Sequence, residues 1–392
     1  MNILMYRYGS ICEPDIIDTF HTFGFQVTEY RREMEHKNDR PSDSVKQLAA
    51  FIEKSPVDCI FSINFFPFVA EICQVLHLRY LCWIVDCPVM ELYAKSITSP
   101  YNRIFLFDWA LYNEIHPLNP DCVFHLPLAA NTGAKDRLFA DTTEAMHRKF
   151  SHPVAFVGSL YTEKSPFDRA KNIPAHTRGY LDGIMKAQES VYGYYFIEEL
   201  LSEEVVEDFK HSIEGFYHYP SESFLTDKRT LAQLYIGNKI TAMERLYTFR
   251  ALSDHFPTYI YTGSDTGSMP NIHNMGFAKS LTEMPLIFHN SKININTTSK
   301  IIRTGLPLRI FDILSCGGFC LSNYQEEIPE LFVPGEDLAV YTSLDEMLGL
   351  CEYYLSHEAE RADMARSGYE KLKANYTYIH QLERLMTTAY SF

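Results

Sequence analysis

The chain is 392 residues long and carries 35 Lys and Arg against 50 Asp and Glu, a formal charge of -15. That length predicts about two or three domains, two being the working number, and the acidic field excludes nucleic acid and anionic membrane surfaces as partners, so that any phosphate site must be local. Hydrophobic residues at 46%, with 27 Phe and 26 Tyr, exclude a disordered chain.

The opening MNILMYRYGS has no basic start or small-residue cleavage site. The longest apolar runs, such as YLCWIVD at 80–86, are strand-length and short of the ~20 residues of a membrane span. The chain reads as cytoplasmic. Its nine cysteines include no CxxC pair, which predicts reduced core thiols rather than zinc ligands or disulfides.

From the start, apolar runs of strand length alternate with helical patterns: NILMYR then DIIDTFHTFG, FQVTEY then SVKQLAAFIEK, VDCIFSI then FVAEICQVLH, followed by RYLCWIV, NRIFLFD and CVFHLPL. Strands separated by single helices predict a parallel, doubly wound sheet. A polar stretch, NTGAKDRLFADTTEAMHRKF, reads as a linker and ends this domain at 150. The alternation restarts at PVAFVGSL, passes through a helical region at about 179–255, and resumes with TYIYTGS, a helix around MPLIFHNS, KININTT, GFCLSN, EIPELF, DLAVY and the helix LDEMLGLCEYYLS. Residues 151–375 are thus a second doubly wound domain with a helical insertion, and 376–392 a closing helix that packs back across the hinge. The fold class is α/β, and a cleft faced by the two domains is the expected ligand site.

TGLPLRIFDILSCGGF at 304–319 carries the most information. Pro307 suits a helix's first turn, so the helix is expected from about Leu306, and Gly305 lets the preceding backbone approach a ligand. The helix end is a local anion site. Arg309 and Asp312, three apart, share a face; they are either a surface ion pair or a phosphate-binding arginine and a ribose-binding acid. Upstream, Asn296, Thr297, Thr298 and Ser299 end a predicted strand, while Gly158 with Ser159 and Gly263 with Ser264 lie in glycine loops after two others. Lys300 and Arg303 are either further anion contacts or solvated cations.

The pattern G-x-P-x-R-x-F-[DE]-x-x-x-x-G-G-F, followed by LSNYQEEIPELFVPGEDLAVY, resembles the C-terminal domain of bacterial glycosyltransferases related to the CgeB spore-maturation protein (glycosyl transferases group 1). The N-terminal half resembles the companion domain in VDCIFSINFFPFVAEIC, RYLCWIVDCPVMELY and HLPLAANT. The resemblance implies the GT-B architecture of two Rossmann-like domains, with 1–150 on the acceptor side and 151–375 binding the nucleotide-sugar. It places Asp312 on the donor ribose and Arg309, Thr304 and Gly305 beside the diphosphate. In the retaining relatives a glutamate stands eight positions before the ribose-binding acid; here that position is Thr304, which leaves retention or inversion open.

No D-x-D occurs in the chain, so the expected leaving-group stabilisation is metal-independent, by cations and helix N–H groups. Activation of an acceptor hydroxyl needs a carboxylate or imidazole. Asp86, after the strand RYLCWIV, is the first candidate, with a helix cap as its plain structural alternative. Glu13 in YGSICEPD is the second and His125 in FHLPL the third, the latter matching equally a satisfied core histidine. Asn64 and Trp83 are candidate acceptor-binding residues, a turn residue and a core aromatic being the alternatives.

The expected function is transfer of a sugar from a nucleotide diphosphate sugar, a UDP-sugar first, to a hydroxyl on a bacterial surface protein or glycan, with no cofactor. The partners are donor and acceptor, with the helical region available for an oligomer contact. The rivals are a sugar-nucleotide isomerase or hydrolase on the same frame, and a degenerate nucleotide- or glycan-binding protein.

Overall fold

The computed structural model describes residues 1–35 and 41–391. The chain forms two compact units, the first comprising Met1–Ala129, Tyr219–Leu225 and Tyr376–Phe392, the second Ala130–His218 and Thr226–Asn375.

The first unit holds β1 (Asn2–Tyr6), β2 (Gln26–Tyr30), β3 (Cys59–Ile63), β4 (Arg79–Trp83), β5 (Asn102–Leu106) and β6 (Val123–His125), all parallel in the order β2-β1-β3-β4-β5-β6. Every residue of β3 is buried, as both faces of a parallel sheet require when helices cover them. The chain winds one way from β1 to β2 and the other way from β1 to β3. The loops leaving β1 and β3 therefore diverge, which opens a crevice at their carboxyl ends.

Two distant segments complete this unit. The helix Tyr378–Tyr390 buries Leu382 and Leu385, sets Tyr378 edge-on to Trp83 at 6.1 Å, and donates from Gln381 Nε2 to the Pro127 carbonyl at 3.1 Å. Tyr219–Leu225 runs beside residues 93–95, where Phe224 N donates to the Tyr93 carbonyl at 2.7 Å, and Phe224 and Leu225 pack on the apolar core. The expected helical insertion is thus interrupted, because these side chains find their apolar surroundings in the first unit.

The second unit holds β7 (Val154–Val157), β8 (Thr258–Tyr261), β9 (His273–Asn274), β10 (Ile293–Asn296), β11 (Cys320–Asn323) and β12 (Ala339–Tyr341), parallel in the order β12-β11-β10-β7-β8-β9. Here the winding reverses between β7 and β10. Strand β9 has no counterpart in the sequence reading: it is two exposed residues at the sheet edge, too short to show a period. The helices between Ala175 and His255 have their own core, including Phe167, Leu181, Phe209 and Tyr235.

The stretch 131–150 is not a linker. It forms the helices Thr132–Asp141 and Glu144–Lys149 and belongs with the second unit. Asn131 and Thr143 cap them by accepting from Ala134 N and Met146 N, the cap chemistry that short polar side chains supply. The nine cysteines form no disulfide.

The helix of the 304–319 stretch spans Leu308–Ser315 rather than starting near Leu306. Pro307 is its N-cap, with ψ 157 in the extended region, so it directs the chain into the helix from just outside. Gly317, at φ 63, closes the helix in the left-handed conformation. Gly318 answers a different need, since a Cβ there would lie 2.5 Å from the Phe288 carbonyl oxygen.

Candidate functional sites at the two strand-order reversals

In the second unit β7 and β10 flank the reversal, and one side chain ties their ends together. Arg245, from the helix Asn238–His255, donates through Nη1 to the Ser159 carbonyl and through Nη2 to the Thr297 carbonyl, the latter at 2.6 Å. Its guanidinium also lies 4.7 Å from the Tyr161 ring centroid and 5.6 Å from that of Phe156. Carbonyls and rings orient a guanidinium without cancelling its charge. Burial lowers its pKa, opposed by Tyr161 and the Glu244 carboxylate, and the Arg309 charge adds to the lowering. Two donors are left over here: Arg245 Nε and Thr297 Oγ1 are buried and find no hydrogen-bond partner among the described residues. Orphaned buried donors beside a guanidinium held by carbonyls are what an anion would satisfy.

The loops around Arg245 are braced by short polar side chains. Ser159 Oγ and Ser264 Oγ donate to the Glu163 carboxylate at 2.6 and 2.7 Å, and Leu160 N donates to Ser264 Oγ at 2.8 Å. Burial would raise the Glu163 pKa, but the hydroxyl donors hold it below its ordinary value. Asn296 Nδ2 donates to Thr298 Oγ1 at 3.0 Å and to Ser322 Oγ at 2.9 Å, while Thr298 N donates to Asn323 Oδ1 at 2.6 Å. Asn296 and Thr298 are both buried, and these bonds make them part of the frame of the crevice. Gly158 follows β7 and Gly263 follows β8. Lys300 is buried as well, 3.3 Å from Glu244 Oε1 and 3.4 Å from the Tyr192 ring centroid, so it is neither a solvated cation nor an open anion contact. Arg303 is half-buried in the following loop.

Thr304 Oγ1 donates to Glu327 Oε1 at 2.8 Å and the Thr304 carbonyl accepts from Glu327 N at 3.1 Å. Gln325 Nε2 donates to the Gly305 carbonyl at 3.0 Å. A carboxylate therefore touches Thr304, but it comes from the segment after β11. Arg309 and Asp312 do pair, at 3.3 Å, with Lys135 Nζ 3.5 Å from the other Asp312 oxygen. The Arg309 guanidinium lies against the Met284 thioether, 5.3 Å from the Phe288 ring centroid. Burial lowers its pKa and Asp312 opposes that. The pair is thus a half-buried network with a third member, Lys135, rather than a solvated surface pair.

In the first unit Asp86 and Asn64 meet at the reversal between β1 and β3. Asn64 follows β3 in the left-handed conformation, φ 58, which asparagine tolerates better than most residues. Its Oδ1 accepts from Val85 N at 3.1 Å and Asp86 N at 3.3 Å, and its Nδ2 donates to Asp86 Oδ2 at 2.7 Å and to the Tyr8 hydroxyl at 2.9 Å. Tyr8 has a raised pKa, from burial first and the Asp86 carboxylate next. It remains a neutral phenol beside an exposed carboxylate.

The other candidates in this unit, Glu13, His125 and Trp83, are packed against neighbouring groups. Glu13 is fully buried, pairs with Arg7 Nε at 2.8 Å, and accepts from Tyr8 N and Gly9 N at 2.9 and 3.0 Å. Its oxygens shape the loop after β1. Replacing Glu13 by alanine is expected to destabilise the protein by about 1–3 kcal/mol, the cost of leaving the Tyr8 and Gly9 N–H groups without their acceptor, while Arg7 keeps Glu29 as a second partner. Urea denaturation would measure this, and turnover per folded molecule should stay within a few-fold of the parent. His125 stacks on Trp109 with ring centroids 3.8 Å apart, and Trp83 is 1% exposed, a core aromatic rather than a sugar platform.

Arg245, Lys135 and Tyr8 escaped the sequence reading. Tyr8 had a signal, since it sits in the same loop as Glu13. Arg245 had none beyond a Glu-Arg pair inside an otherwise ordinary helix.

Residues 240–387 match the family described as "Glycosyl transferase-like". No curated protein matches the chain. Among solved structures the chain is similar to Anabaena Alr3699/HepE in complex with UDP-glucose, with TM-score 0.56 and 9% identity over 100% of both chains. It is similar to sucrose-phosphate synthase from Thermosynechococcus elongatus, with TM-score 0.56 and 9% identity over 100% of this chain and 99% of that one. It is also similar to a UDP-forming trehalose-phosphate synthase from Burkholderia xenovorans, with TM-score 0.54 and 12% identity over 100% and 98%. These likenesses establish the fold as the two-sheet α/β plan of GT-B proteins, and with the family match they support a glycosyltransferase. Among the described residues no helix is long and apolar enough to cross a membrane.

Proposed function

We propose that this chain transfers a sugar from a nucleotide diphosphate sugar, a UDP-sugar first, to an acceptor hydroxyl on a surface protein or glycan, in the cytoplasm and without a metal. The observation that carries the reading is Arg245, held by two carbonyls at the β7–β10 reversal with leftover donors beside it, in an acidic chain that needs a local site for any diphosphate. It lies inside the glycosyl transferase-like segment. The UDP and UDP-glucose complexes of the similar Anabaena protein support the choice of donor.

In this reading Arg245 and Arg309 stabilise the charge that develops on the departing diphosphate. Such stabilisation works because the charges are fixed before reaction. Asp312, carrying Lys135 and Arg309 on its two oxygens, accepts from the donor ribose. In the first unit Asp86 takes the acceptor proton, and the resemblance of the 304–319 stretch to CgeB-related enzymes supports the same division of labour.

Thermal-shift measurements with UDP, GDP, ADP and CDP test the donor site. A ligand at one hundred times its Kd adds about 2.7 kcal/mol, which for a unit of this size corresponds to a rise of roughly 5 °C. No stabilisation by any of the four at millimolar concentration would overturn the reading.

A further inference from the structure

Gly263 follows β8 in the crevice loop of the second unit, and its backbone is not in the left-handed region. Conformational freedom is therefore not what the position requires. A Cβ on Gly263 would lie 2.0 Å from the ring of Phe277, so the missing side chain is what allows that ring to rest on the loop. Yet Phe277 is 86% exposed. Its loop is anchored: Met275 N donates to the Ile260 carbonyl at 2.8 Å, Gly276 N donates to Asn274 Oδ1 at 2.9 Å, and Gly276 turns at φ 77. An anchored loop that sets one side of an aromatic ring on a glycine and leaves the other to water presents a flat apolar face.

That face adjoins the anion site through a short series of bonded loops. Ser264, next to Gly263, accepts from Leu160 N at 2.8 Å, and the neighbouring Ser159 carbonyl accepts from Arg245. A diphosphate on Arg245 whose nucleoside ran along the strand ends toward β8 would carry its base toward the loop that holds Phe277.

We propose that Phe277 is a stacking platform for the nucleobase of the donor, a role that rests on the nucleotide-sugar reading. Stacking reads a π-face rather than a hydrogen-bonding edge, so the platform acts on pyrimidine and purine nucleotides alike. The platform in turn depends on the bare Gly263 peptide beneath it.

Isothermal titration of the full chain with UDP, ADP and inorganic pyrophosphate tests this. Phe277→Ala should weaken UDP and ADP about tenfold, within the range of base–aromatic stacking, leave pyrophosphate unchanged, and leave the melting temperature of the free protein unchanged because the ring is exposed. Phe277→Trp should retain nucleotide affinity. Gly263→Ala, which fills the space under the ring, should weaken the nucleotides as Phe277→Ala does, and the double variant should be no weaker than either single one, as coupled neighbours require. Unchanged UDP and ADP affinity in Phe277→Ala would overturn the platform while sparing the donor reading, and an equal loss of pyrophosphate affinity would overturn it as general damage. A parent protein that binds neither nucleotide would sink both proposals.

Discussion

Replacing Arg245 by alanine is expected to weaken binding of a nucleoside diphosphate by about 10²–10³-fold, within the ~2–5 kcal/mol typical of truncating a fixed, hydrogen-bonded charge in a binding site. The guanidinium is already oriented by the Ser159 and Thr297 carbonyls, so no ordering has to accompany binding, and its loss removes both charge and preorganisation. The same truncation orphans the two carbonyls, each worth about 1–3 kcal/mol when left buried without a donor. Stability and affinity therefore have to be read separately. Lysine in place of Arg245 keeps the charge but cannot span two acceptors with a planar fork, so it should recover part of the affinity and little of the stability. A folded alanine variant that binds UDP as tightly as the parent would reduce Arg245 to a structural brace and remove the main support for the donor site.

The expectation from the sequence had set the phosphate charge on Arg309. That residue was legible because it stands in a motif, three before Asp312 and just after a proline at a helix start. Its side chain pairs with Asp312 and lies along Met284 and Phe288. Lys135 joins the same carboxylate from a helix more than 170 positions earlier and could not have been found by spacing. Arg245 illustrates the limit most clearly: the role proposed for it comes from where β7 and β10 end, and strand order is a property of long-range pairing that local periodicity does not carry. By contrast the nearness of Asn64 and Asp86 was legible, since Asn64 directly follows β3 and Asp86 comes shortly after β4, and the carboxyl ends of parallel strands are where such sheets bind ligands. Trp83, the last residue of β4, is packed in the core, and Glu13, the first residue of a helix, has both oxygens bonded to the loop after β1. Side-chain direction at the end of a strand alternates between faces, and one residue of phase separates the core from the crevice.

Strand positions followed from the sequence because parallel strands buried on both faces read as continuous apolar runs, as CIFSI and RYLCW do. The stretch 131–150 misled because its helices are polar and short, and only Asn131 and Thr143 mark their starts. The assignment of Tyr219–Leu225 to the first unit was invisible for another reason: seven residues with no period gain their place by two backbone hydrogen bonds and the burial of Phe224 and Leu225.

Asparagine in place of Asp86 is expected to lower kcat by about 10²–10⁴-fold, the usual contribution of a positioned general base, with the affinity for UDP unchanged. The geometry argues for a base held in place rather than a free surface acid. Asn64 has its orientation fixed by two backbone donors, Val85 N and Asp86 N, on Oδ1, so its Nδ2 is obliged to face Asp86 and Tyr8. One oxygen of Asp86 is thereby tethered at 2.7 Å, and the residue's exposure leaves the carboxylate open to an incoming hydroxyl. Tyr8, kept neutral by burial and by that same carboxylate, adds a polar group at the spot without adding charge. Removing the tether with Asn64→Ala should therefore cost kcat less than Asp86→Asn does, on the order of tenfold, because the base survives and only its orientation loosens. Steady-state rates with saturating donor, set beside UDP titrations of the same variants, separate the two roles. An Asp86→Asn protein that turns over within threefold of the parent would move the base elsewhere in the first unit, and one that loses UDP affinity would mean that Asp86 belongs to the donor rather than to the acceptor.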